Sequence, residues 1–100
     1  MRMDPPEITQ YVKMEGRRFY RLWAALSQTI KMPFGGGELH AAQESLFCKQ
    51  LAGFADIAGH EDPERDPQRI HRALVEGRKF FGAFRRELKP ALDLLGRQFA

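Results

Sequence analysis

Apolar residues recur at steps of three and four through most of this chain, and nowhere do they alternate convincingly at steps of two. Ile8, Val12, Phe19, Leu22, Leu26 and Ile30 form the first series, with Glu15 standing where the next apolar residue would fall. At about 100° per residue they share one arc, joined by Tyr11 and Trp23, and Lys13, Arg17 and Arg21 lie opposite. The spacing predicts an amphipathic helix over about residues 5–32. Asp4 followed by Pro5 is its start signal, because an Asp oxygen can accept from the free N–H groups and the fixed φ of proline suits the first helical position. Glu7 favours the positive end of the helix dipole. Met32-Pro33 ends the pattern, since the residue before proline avoids the α region, and Pro33 to Gly37 reads as a loop.

A second helix is predicted over about 38–58. Leu39, Ala42, Leu46, Phe47, Leu51, Phe54, Ile57 and Ala58 make a broad apolar face. Ala41, Ser45, Cys48, Ala52 and Ala55 make a stripe of small residues on nearly the opposite side, and Gly59 is a natural residue just past the end. A helix that is apolar or small on two sides is either central or covered by a second chain, so this helix is expected in the middle. Asp66-Pro67 then repeats the start signal for a third helix, predicted over 67–89, in which Ile70, Leu74, Gly77, Phe81, Phe84 and Leu88 recur at steps of four and three. Pro90 cannot donate to the carbonyl of Arg86. Residues 90–99 are therefore expected as a kinked continuation or a short fourth helix.

The fold expected is all-α: one domain over residues 1–100, a small bundle of three long helices, with residues 90–99 either continuing the third past a kink or forming a short fourth. Dimerisation is expected to complete it, because the two-faced second helix and the long apolar stripes offer more surface than three helices bury, and small helical domains often finish their core that way. With 100 residues and globular apolar and charged content, wholesale disorder is excluded. No apolar run approaches the roughly 20 residues a membrane span needs, and no secretory signal is seen behind Arg2.

Charge changes this picture more than composition does. The net charge is +3, but residues 1–34 carry +3, residues 35–67 carry −5 and residues 68–100 carry +5. Either the basic flanks neutralise the acidic middle on folding, or a basic surface faces an acidic partner. Arg72, Arg78, Lys79, Arg85, Arg86, Lys89 and Arg97 fall within one arc of the third helix, away from Phe81, Phe84 and Leu88, with only Asp93 among them. Arginine predominates, which suits bidentate contacts to carboxylate or phosphate.

Two observations weigh against nucleic acid. The phenylalanines between these charges lie mostly on the apolar arc, not as a base-stacking platform, and the connection between helices two and three is about seven residues, too long for a helix-turn-helix. A membrane surface is not expected, since the helix spends its apolar face on folding. Glu15 lies inside the apolar arc of helix one, so it must be paired or wet. It reads as a salt bridge to an arginine of another helix, or as a specificity element at a partner interface. Gly16 beside it would let another backbone come close.

Catalytic and metal-binding patterns fail. The Gly35-Gly36-Gly37 run leads into Glu38, with no Lys-Ser/Thr, and is no phosphate loop. His40 and Glu44 could share an ion but lack the further ligands such sites need. Cys48 is the only cysteine, which excludes an internal disulfide and fits a reducing cytoplasm; among alanines it reads as a packing residue. No catalytic activity, metal or cofactor is expected. The expected function is that of a small cytoplasmic regulatory or adaptor protein that binds an acidic protein. Glu15, Trp23, Arg72, Arg78, Lys79, Arg85, Arg86 and Lys89 are the candidate partner-binding residues, Trp23 because Trp and Arg are enriched among hot spots. The alternative is a nucleic-acid-binding protein using the basic face of the third helix.

Overall fold

A computed structural model of the chain describes residues 5–31 and 44–99. Its long regular elements are α1 (Pro5–Ile30), α2 (Leu46–His60) and α3 (Pro67–Phe99), and no strand occurs among the described residues. Cross-helix contacts set their directions. Tyr11 meets His71, Glu15 meets Arg78 and Phe19 meets Phe81, so α1 and α3 run parallel. Phe47 stacks on Phe84 while Phe54 lies against Gly77, so α2 runs antiparallel to both. The result is an up-down-up bundle. Its core is built on Val12, Leu51, Ile70, Leu74 and Phe84, the largest side chains removed almost completely from water.

The helix ends follow local chemistry, and α2 departs most from its sequence pattern. Ser45, counted in the small-residue stripe, is the N-cap: its backbone is extended at φ −69° and ψ 151°, and its Oγ accepts from the Cys48 N–H at 3.1 Å. A serine that can serve a free N–H competes with helical continuation, so the helix predicted without interruption over 38–58 is broken at Ser45, while the predicted start at 38 lies outside the described residues. At the other end α2 runs through Gly59 to His60, two residues beyond the expected stop at Ala58. The break comes at Glu61, extended at φ −76° and ψ 151°, whose N–H donates to the Ile57 carbonyl at 3.2 Å. Gly59 is present for packing, not for ending the helix, because a Cβ there would sit 2.7 Å from Cγ and Cδ2 of Tyr20.

Asp62 shapes the connection to α3, accepting from the Glu64 N–H on its side chain at 2.9 Å and from the Arg65 N–H on its carbonyl at 3.1 Å. Asp66 caps α3 as expected, accepting from the Arg69 N–H at 3.1 Å. α3 then continues unbroken through Pro90 to Phe99, with no separate fourth helix. Pro90 is exposed, so water can serve the carbonyl that proline leaves without a helical donor. α1 ends at Ile30, with the Lys31 N–H donating to the Ser27 carbonyl at 3.2 Å. Asp4, Met32-Pro33, the glycine loop and residues 38–43, with His40, lie outside the described residues.

α2 is not a middle layer. Each helix touches the other two. The small-residue side of α2 and part of its larger face turn into the same core: Cys48, Leu51, Ala55 and Ala58 are all buried, while Leu46 is 71% exposed. What let α2 seat so closely is Gly16, which is buried beneath the Ala58 carbonyl; a Cβ at Gly16 would overlap that oxygen and lie 3.2 Å from the carbonyl carbon. The small stripe that suggested a second chain is thus spent, as far as it is described, inside this one.

Candidate partner-binding face

Parallel packing of α1 and α3 decides the electrostatics. It sets the basic first and last thirds of the chain side by side, with α2 packed against both. Among the described residues only one ion pair joins an acidic residue of residues 35–67 to a basic flank, Arg69 Nε to Glu61 Oε2 at 2.7 Å. Asp56 instead meets His60 of its own helix at 3.1 Å. Among the described residues, direct ion pairing between the basic flanks and the acidic middle is therefore sparse.

The basic residues of the two helices adjoin through three shallow concavities that share residues. One, of about 360 Å³, lies along the outside of α1 among Lys13, Arg17, Arg18 and Arg21. The second, of about 310 Å³, is the seam between α1 and α3, and takes Arg18 from the first. Phe19, Leu22, Phe81 and Gly82 line it, together with Glu15, Arg78 and Arg85. The third, of about 430 Å³, runs over the outside of α3 and shares Gly82 and Arg85 with the seam, adding Arg86, Lys89 and Asp93. The face is basic across both helices and has an apolar strip along its middle.

Each candidate residue has a definite place. Glu15 is paired within the chain: Arg78 Nη2 donates to Oε2 at 2.8 Å, Arg18 Nη1 donates to Oε1 at 3.2 Å, and the Glu15 side chain is 16% exposed. Arg78 also donates to the Tyr11 hydroxyl at 2.9 Å. Glu15 and Arg78 therefore clamp α1 to α3, and Glu15 has two cationic partners before any other protein arrives. Trp23 is 9% exposed and belongs to the core, so it offers a partner nothing. The apolar arc outweighed the tendency of Trp to mark interfaces.

Lys79 faces Glu76 at 3.6 Å, an exposed pair worth little. The Arg85 guanidinium lies 6.0 Å from the centre of the Phe81 ring. Arg72, Arg86 and Lys89 are exposed and make no ion pair among the described residues. The Arg97 side chain lies outside the described residues.

Three contributors escaped the sequence pattern. Leu22, placed in the core by its spacing, is 58% exposed, because it sits on the edge of the apolar arc beside the seam. The α1 cations were visible opposite the apolar arc, but their union with α3 required the parallel packing. Gly82 gave no signal beyond being a glycine within a helical pattern.

Among the described residues outside this face, little reactive chemistry is found. Burial pushes the Cys48 thiol above its ordinary pKa, helped by Glu44 and opposed by Lys31, so its thiolate is suppressed. No group of three or more His, Cys, Asp or Glu side chains converges among the described residues, and no described helix is long and apolar enough to cross a membrane. The chain matches no family model, no curated protein and no solved structure, so its function rests on its own residues.

Proposed function

We propose that this chain is a small non-catalytic adaptor that binds an acidic segment of another protein on its α1/α3 face. The observation that carries this reading is the apolar seam, with Leu22 exposed beside Phe81, set within a basic surface drawn from both helices. A protein segment can answer both features at once, with carboxylates for Arg85, Arg86 and Lys89 and an apolar side chain for Leu22. A phosphate backbone answers only the charges and would leave the seam unused.

A titration by fluorescence polarisation tests this directly. The probes are a labelled synthetic amphipathic peptide rich in Glu and Leu, a scrambled peptide of the same composition, and labelled duplex DNA and single-stranded RNA, first at about 50 mM salt and then at rising salt. The amphipathic peptide is expected to bind most tightly and to keep part of its affinity as salt rises, because its apolar contacts are not screened. Tighter binding of a nucleic acid, with affinity falling linearly in log–log form against salt, would overturn the reading and establish the nucleic-acid alternative.

The dimer expected from the sequence must lie elsewhere on the molecule, because a two-fold axis through this face would set like charges against each other. Light scattering reads that state directly.

A further inference from the structure

A glycine inside a helix costs about 1 kcal/mol relative to alanine, so each one needs a reason. Gly16, Gly59 and Gly77 have theirs within the chain, since a Cβ would collide with the Ala58 backbone, the Tyr20 ring or the Phe19 ring. Gly53 and Gly82 have none: nothing lies within 4 Å of where a Cβ would stand at either. The two differ in setting. Gly53 is on an exposed surface of α2, while Gly82 is half-buried and is shared by the apolar seam and the Arg86–Lys89 concavity.

Bare backbone in the middle of α3, with cations beside it and an exposed leucine across the seam, is a place where another helix could come within backbone distance. We infer that Gly82 is the point of closest approach of an acidic amphipathic helix lying along the α1/α3 seam. A small residue of that helix rests on Gly82. An apolar residue about one turn away covers Leu22 and Phe81, and carboxylates on its flank reach Arg85, Arg86 and Lys89. This inference rests on the reading of the face as a protein-binding one. It adds the form of the partner, a helix with a small residue in its seam, to that reading.

Stability and binding must then respond to one substitution with opposite signs. The probe is a synthetic helical peptide of about 20 residues, roughly 30 Å long, with Leu and Ala at steps of three and four and Glu elsewhere. Binding by calorimetry and melting by circular dichroism are measured on the full chain and on Gly82→Ala, Gly82→Leu, Gly53→Ala and the double variant Arg86→Gln/Lys89→Gln. Both alanine variants should raise Tm by about 2–6 °C, because the unfolded chain loses freedom and the open space accepts a methyl. Only the Gly82 variants should weaken the peptide, by roughly tenfold for alanine through steric overpacking and by more for leucine.

If the peptide binds the parent and Gly82→Ala equally but loses affinity for Arg86→Gln/Lys89→Gln, the close approach at Gly82 is overturned while the acidic-partner reading stands. If the parent binds neither this peptide nor the amphipathic Glu- and Leu-rich peptide of the polarisation titration, the acidic-partner reading fails and the Gly82 contact fails with it.

Discussion

α1 meets its two neighbours in opposite ways. Against α2 it is tight: Gly16 lies under the Ala58 carbonyl, and Tyr20 covers Gly59. Against α3 it is tight only at depth, where Phe19 reaches Gly77 and packs edge-on to Phe81 at 6.0 Å. Nearer the surface the pair is held by the charged clamp of Glu15 and Arg78, and beyond that it opens into a seam that leaves Leu22 in water. Close packing without side-chain adjustment specifies a structure, since any added atom must displace backbone. A seam joined by one clamp and left open along its rim can receive something else. The α1–α2 contact is therefore closed to any added atom at Gly16, while the α1–α3 seam leaves an apolar side chain at the surface.

The largest expected effect is in the core. Trp23→Ala removes a core indole and should cost about 3–5 kcal/mol by urea denaturation, close to the whole stability of a small domain. If the loss is below about 1 kcal/mol, Trp23 is not the core residue its burial makes it.

Gly16→Ala comes next. Its Cβ would overlap the Ala58 carbonyl oxygen, so α1 and α2 must separate, and about 1–3 kcal/mol of stability should be lost. The same substitution at Gly82 should stabilise. This pair of opposite signs is the sharpest form of the contrast between the two sides of α1, and equal signs would erase it.

The clamp should matter less. Arg78→Ala leaves Glu15 with Arg18 and Tyr11 without its donor, and should cost about 1–2 kcal/mol, since the pair is only partly removed from water. A double-mutant cycle with Glu15→Gln should return a coupling of roughly 0.5–1 kcal/mol, shrinking in high salt. A coupling near zero would mean that the seam is held by its apolar residues alone.

Leu22→Ala should change stability least, by no more than about 0.5 kcal/mol, because the side chain is mostly in water already. It should nonetheless weaken the acidic amphipathic peptide. Leu22 and Trp23 are chain neighbours, so this variant and Trp23→Ala together measure how sharply the open side of α1 is separated from the buried one.

What could be read from the sequence is what is local. The three-and-four spacing specifies α1 and α3 because every third or fourth side chain of a helix shares a face whatever lies beyond it. Asp66 caps α3 through an oxygen only three residues from the N–H it serves. Glu15 could be identified as a carboxylate needing a cation, and Gly16 as a place for another backbone, because each is anomalous on its own helix. Ser45 was legible in principle, since serine is a good N-cap, but the apolar spacing on either side of it masked the signal.

Tertiary structure alone decided what depends on which helices adjoin and in which direction. The cross-helix partner of Glu15 is Arg78, and not another arginine of the α3 arc, because parallel packing brings residue 15 level with residue 78. Leu22 and Leu26 belong to the same arc, yet Leu22 is exposed and Leu26 buried, because an angle about one helix axis does not say how far a neighbouring helix reaches around it. The basic face is the largest such decision. Two cationic stretches separated by an acidic one can neutralise the middle or stand together, and the apolar stripes, which carry far more free energy than exposed charges, placed them side by side.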